Sequence, residues 1–349
     1  VLKVLWLSKD DDLLKLVKSR VARDSLKIKI VEKVDNKCSI IVVDEVDESI
    51  EVDQFDKVII LETQNVKSPT YNNNYLVFNK QMPIESLLYL FSNNFAPSEK
   101  LSKNKKVKLD ESVSNLITTY SPKGGAGRTT TAINMAYSLA ESRKNVLLVD
   151  FTQFSNISIE LELAHSLSSL DPVSQYISEE KVDEKKLISL IQRNIVKFDD
   201  SSVKFDLLLG MTAINYDSVS TRNIGLLITE MKRLKYDYIV IDATATSNVL
   251  NLSLMSLSDL VLLIADTSLL SAWSIVRFYP VMQAMNIATK TRLLINKYSS
   301  NVQYNIKDLE QQLQLKVSNV IPKSHKFKKG LLVARKSKKY RRIYRELSE

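Results

Sequence analysis

The sequence predicts an α/β protein of two domains, each built on a mostly parallel sheet. Three observations carry this reading. Short apolar runs alternate with helical patterns in two separate stretches. A polar, lysine-rich segment divides the stretches. The hydrophobic content is 44% over 349 residues, more chain than one ordinary core accommodates.

Residues 1–96 form the first predicted domain. Residues 3–7 read as a short strand. Over 11–23, Leu13, Leu14, Leu16, Val17 and Val21 fall at helical spacing. The continuous apolar runs at 39–44, 57–61 and 75–79 suit strands covered on both faces, and 84–91 reads as a helix. Residues 97–110 are the linker. The second domain runs over 111–330, with strands at 116–120, 146–150, 205–209, 238–242, 260–265, 292–296 and 317–321. Helical patterns cover 129–143 and 271–285, and 156–203 reads as mostly helical. Residues 331–349 form a basic tail ending in a helix.

Composition excludes several functions. Cys38 is the one cysteine, and His165 and His325 are the two histidines. A disulfide framework, a thiolate metal centre and a histidine-rich site are therefore ruled out. No apolar run approaches the length of a membrane span, and the opening residues read as a strand, not a signal peptide. The expected compartment is the cytoplasm. Cys38, Trp6 and Trp273 suit core or interface positions. The formal charge is +9. From Lys323 onward there are eleven Lys/Arg and two Glu, which leaves 38 of each sign in residues 1–322. The excess belongs to the tail and suggests an anionic partner.

Glycine is concentrated. Of six glycines, Gly124, Gly125 and Gly127 fall within four residues. They lie in Ser121-Pro-Lys-Gly-Gly-Ala-Gly-Arg-Thr-Thr130, after a predicted strand and before a predicted helix. That context suits a phosphate-binding loop. Glycines let backbone N–H groups converge on an anion, and the helix N-terminus adds partial positive charge. Arg128 can reach terminal phosphates, and the Thr129 hydroxyl can coordinate Mg²⁺.

This run resembles the deviant Walker A motif of the ParA/MinD superfamily. Further runs match in order: Val146–Asp150, Tyr236 to Asp242, Leu293 to Lys297, and Ile321-Pro322 ahead of Gly330. The resemblance covers roughly residues 115–330. It implies an ATP-binding domain that forms a nucleotide-sandwich homodimer, with Lys123 reaching the partner's ATP. It implies phosphate contacts from Lys123, Gly124, Gly125, Ala126, Gly127, Arg128, Thr129 and Thr130. Thr129, Asp150 and Asp242 would serve Mg²⁺, and Asn296 and the Pro322 region would face adenine. Lys123, Arg128 and Asp150 are the implied catalytic residues.

Two departures bear on turnover. Arg128 replaces the usual lysine, a planar fork in place of a compact ammonium. Hydrolysing members read Asp-x-Asp where this chain reads Asp150-Phe151-Thr152, so the carboxylate that positions the attacking water is replaced by a hydroxyl. Phosphoryl transfer rests on positioning and electrostatics, so ATP binding with slow or absent hydrolysis is expected. Whether the chain is an enzyme stays open.

The first domain resembles a response-regulator receiver, of flavodoxin-like fold. Asp44 sits where a phospho-accepting aspartate would, with Lys80 and Thr63 at the accompanying positions. The acidic pair that would hold Mg²⁺ is replaced by Ser8-Lys9, and Asp10 to Asp12 suit helix capping better. An unphosphorylated binding module is expected. A receiver-like domain ahead of a ParA/MinD-type domain resembles the CpaE/TadZ group. That resemblance implies a scaffold localising tight-adherence pilus or secretion machinery, peripheral at the membrane or cell pole. The alternative is an active ATPase for DNA partition or membrane-based positioning.

In the tail, Tyr340, Ile343, Tyr344 and Leu347 share one helical face opposite Lys and Arg. Three readings stand: packing on its own domain, lying on anionic lipid, or binding nucleic acid through phosphates.

Overall fold

The computed structural model describes residues 2–23, 28–33, 38–45, 55–62, 75–80, 84, 87, 88, 91, 114–152, 157–163, 169–179, 181–210, 219–323, 332 and 334–348. The chain separates into two compact units, Val1–Lys106 and, for the most part, Val107–Glu349. The expected linker at 97–110, Thr63 and both histidines lie outside the described residues.

The first unit runs β1 (Leu2–Trp6), α1 (Asp11–Arg23), β2 (Ile28–Val31), β3 (Ile40–Val43), β4 (Lys57–Glu62) and β5 (Tyr75–Asn79). Asp10 starts α1 by accepting the Leu13 amide at 2.9 Å, and Asp11 and Asp12 place negative charge in its first turn. Ile84, Leu87, Leu88 and Phe91 are helical, as expected of that segment. The strands order β2-β1-β3-β4-β5, all parallel. This is the flavodoxin-like order, whose ligand crevice opens between β1 and β3. Leu5, Cys38, Ile41, Val43, Phe55 and Val58 form one cluster of its core. Strand β2 escaped the sequence reading, being only four residues long with limited burial.

The second unit begins with β6 (Asn115–Tyr120), α2 (Arg128–Glu141), β7 (Val146–Asp150), α3 (Ile157–Glu160), α4 (Asp171–Ile177) and α5 (Glu184–Asn194). Then come β8 (Val196–Asp199), β9 (Lys204–Leu208), α6 (Thr221–Arg233), β10 (Tyr238–Asp242), α7 (Val249–Leu257), β11 (Leu260–Ala265) and α8 (Leu269–Ala284). Last are β12 (Thr291–Tyr298), α9 (Ile306–Leu313), β13 (Val317–Pro322) and α10 (Lys338–Glu346). The sheet order is β13-β12-β11-β6-β10-β7-β9-β8. Every pairing is parallel except β8 with β9.

Residues of one strand divide between two cores. Ile117, Leu148 and Val240 join the core that includes α2 and α10. Leu116, Leu147, Val149 and Ile239 join the one that includes α4, α5 and α6. With both faces covered, the strands read as unbroken apolar runs. The mostly helical reading of 156–203 needs correction. Three helices are present, but the segment closes with β8, an antiparallel edge strand. Val-Lys-Phe-Asp is too short to show a period.

Candidate functional site

β6 ends at Tyr120, and the chain curls through residues 121–127 before α2 begins at Arg128. Gly127 caps the helix at φ 107°, ψ 30°, and its carbonyl accepts both the Thr131 amide and hydroxyl at 2.9 Å. A side chain there would be strained and blocked, since a Cβ would lie 2.0 Å from Asn296 Nδ2. Gly125 is also left-handed, at φ 74°. α2 is held rigidly behind the loop, with Thr131 to Leu139 all buried.

The sheet brings acidic groups together at the carboxyl ends of its inner strands. β10 lies between β6 and β7, in a register that sets Asp242 beside both Thr119 and Asp150. Both carboxylates are wholly buried. Burial, reinforced by the Asp150 charge, pushes Asp242 up to about 7, against hydrogen bonds from Thr129 and Thr119 and the charge of Arg128. Asp242 Oδ2 is buried with no hydrogen-bond partner among the described residues. An orphaned carboxylate oxygen beside a second carboxylate and the Thr129 hydroxyl is a donor set that fits a hard divalent cation.

Thr152 turns back on this pair. Its amide and hydroxyl donate to Asp150 Oδ1 at 2.8 and 2.6 Å. Arg128 donates through Nη1 to the Ala243 carbonyl, the residue after Asp242. Lys123, whose implied role lies on a partner, is engaged within its own chain, with Nζ 2.5 Å from Asp266 Oδ2 just past β11. Burial pushes the Asp266 carboxyl up, but hydrogen bonds from Lys123 and Ser268 outweigh it and hold the group below its ordinary value.

Asn296, assigned to adenine by the resemblance, is buried against the loop here, and its Nδ2 donates to the Ala126 carbonyl at 2.9 Å. Lys297 beside it donates to the Gly125 carbonyl at 2.6 Å. Pro322 ends β13 opposite Tyr298, and its carbonyl accepts from Tyr340 at 3.4 Å. The loop, Asp150, Asp242 and Asn296 are thus gathered at the carboxyl ends of interior strands of the sheet. Asp266 and Lys297 were missed as participants. Both are polar residues at strand ends, and only their partners, more than a hundred positions away, reveal what they do.

In the first unit, Asp44 is fully engaged. Its Oδ1 receives Lys80 Nζ at 2.7 Å and the Ser8 hydroxyl at 2.9 Å, and Oδ2 receives the Lys9 amide at 2.7 Å. Asp10, besides capping α1, lies 3.4 Å from Lys80.

The tail packs on its own domain. Tyr340, Tyr344 and Leu347 are buried in the core shared with α2. Arg341 pairs with Glu141 at 3.3 Å, and Arg335 with Asp200 at 3.2 Å. The apolar stripe is therefore covered, while Lys336, Lys338, Lys339 and Arg342 face solvent. Trp273 is 51% exposed, so its core reading fails. No helix among the described residues is long and apolar enough to cross a membrane.

A family model described as an AAA domain matches residues 114–295, just over half of the chain. The chain belongs to this family. It is thereby a member of the ParA/MinD superfamily of P-loop ATPases. An uncharacterized protein of Methanocaldococcus jannaschii is 28% identical over 220 residues, 58% of this chain and 82% of that protein. The sporulation initiation inhibitor protein Soj of Bacillus subtilis is 29% identical over 142 residues, covering 40% of this chain and about half (54%) of Soj. Among solved structures, the septum site-determining protein MinD of Pyrococcus horikoshii, complexed with Mg-ADP, shares the fold. It has a TM-score of 0.52 at 19% identity, over 67% of this chain and 94% of that one.

Proposed function

We propose that this family member binds MgATP at the loop before α2 and dimerises around it, with Lys123 acting across the interface. Hydrolysis is slow or absent, and the chain serves as a nucleotide-dependent scaffold for pilus or secretion machinery. One observation carries the reading: a left-handed glycine loop at a helix N-terminus sits beside the carboxyl strand ends that bear a buried aspartate pair with an orphaned oxygen. Loop N–H groups and the start of α2 would receive phosphate. Thr129, Asp150 and Asp242 would hold Mg²⁺, whose charge would offset that of the phosphates. The Mg-ADP bound by the MinD of P. horikoshii supports this assignment.

Slow turnover is supported by Thr152, whose hydroxyl is committed to Asp150 and which brings no carboxylate to orient water. Dimerisation is supported by Leu269, Leu270 and Trp273, exposed at 47%, 65% and 51% on the first turns of α8, close after the residue that holds Lys123. The order of the units, a flavodoxin-like sheet ahead of the P-loop unit, supports the CpaE/TadZ-like scaffold role. Within it, the engaged Asp44 carboxylate supports an unphosphorylated module that binds assembly proteins. The exposed cations of α10 favour a second reading, a cycling partition ATPase that holds DNA through phosphates.

ATP turnover and sedimentation of wild type and Thr152→Asp, with and without MgATP, test the proposal. A wild type that dimerises with MgATP and barely hydrolyses, and a variant that gains turnover, support it. Fast wild-type turnover with salt-sensitive DNA binding would favour the partition reading.

A further inference from the structure

We infer that Asn296 and Lys297 form a two-point clamp that sets the phosphate loop before any nucleotide arrives, which makes Lys297 a positioning residue of the site. The inference rests on the loop being the phosphate cradle proposed above.

The geometry begins in the strand. Neighbouring side chains of a strand point to opposite faces, yet those of Asn296 and Lys297 both reach the same loop. The break in alternation is visible: Lys297 has φ 56°, a left-handed conformation that a non-glycine residue adopts at a cost. The Asn296 side chain holds that bend, its Oδ1 accepting the Lys297 amide at 2.8 Å. The same buried amide group donates through Nδ2 to Ala126, and the Lys297 ammonium donates to Gly125. Consecutive strand residues thus hold consecutive loop carbonyls.

A trans peptide unit points its C=O and N–H in opposite directions. Drawing the Gly125 and Ala126 carbonyls toward β12 therefore turns the Ala126 and Gly127 N–H groups to the other side of the loop. Those are two of the donors a phosphate cradle needs. The clamp also accounts for Gly127, since Asn296 occupies the space its side chain would need.

Lys297 is exposed, so replacing it leaves the core intact. The full chain, labelled with ¹⁵N-glycine, gives six amide signals, three of them from the loop. Without nucleotide, Lys297→Met should shift or broaden the Gly125 and Gly127 signals, leave Gly225 in place, and be reversed by Lys297→Arg. Calorimetric titration should show MgATP and MgADP weakened alike, each about tenfold, the loss of one charged hydrogen bond. Unchanged loop signals in Lys297→Met would overturn the clamp. So would a loss confined to MgATP, which would mark Lys297 as a direct γ-phosphate contact. If wild type binds neither nucleotide, the glycine signals still report on the clamp, and only the nucleotide assignment fails.

Discussion

Tyr344 offers a test with opposite signs from two substitutions. Its ring is wholly buried in the core that α10 shares with α2, and its hydroxyl has no hydrogen-bond partner among the described residues. Burial pushes its phenol far above the ordinary value. Tyr344→Phe removes only the unpartnered hydroxyl and should stabilise the unit by about 1 kcal/mol. Tyr344→Ala empties an aromatic site and should cost about 3–5 kcal/mol. For a unit of this size, each kcal/mol moves Tm by roughly 2–4 °C. The Phe variant should therefore melt a few degrees higher and the Ala variant roughly 10 °C lower. The two units need not melt together, so unfolding is best followed by Trp273 fluorescence in a Trp6→Phe background. A Phe variant melting below wild type would mean that the hydroxyl is satisfied in solution. An Ala variant melting with wild type would mean that α10 is not docked, leaving its stripe free for lipid.

Gly127→Ala combines a left-handed backbone with a Cβ 2.0 Å from Asn296 Nδ2. A cost of about 2–4 kcal/mol and lost MgATP binding are expected, with part of the stability regained by adding Asn296→Ala; an additive double mutant would remove the clash from the explanation. Asp44 is held below its ordinary 3.8 although burial pushes it up, because Lys80, Lys9 and Ser8 bond to it. Lys80 is raised above 10.5, its bonds to Asp44 and Asp10 outweighing burial. Stability from Asp44 is complete above its unfolded value and lost as pH falls through the lower folded value. Stability from Lys80 is complete below 10.5 and lost as pH rises through the higher one. Melts followed by Trp6 fluorescence in a Trp273→Phe background should show Lys80→Met below wild type at neutral pH, with the gap closing in strong acid. A gap that persists there would argue against the ion pair.

The sequence alone determined whatever depends on local chemistry. The glycine loop was legible because left-handed backbone and close approach demand glycine at fixed offsets. The buried parallel strands were legible because a strand covered on both faces has to be apolar throughout. Asp150 and Asp242 could be named because the runs they end resemble, in order after the loop, the motif strands of the ParA/MinD superfamily. Tertiary structure decided what depends on which strands become neighbours. β11 lies beside β6, and the residue just past it, Asp266, holds Lys123 from 143 positions away. The φ of Lys297 turns two successive side chains onto one loop, against the strand alternation that the sequence pattern implies. The tail has the pattern of a lipid-binding helix, but an amphipathic stripe specifies only that something apolar must cover it. In the folded chain α2 does so, and the choice is made by contacts some 200 residues apart, such as Ala334 on Asn134, that no local periodicity encodes.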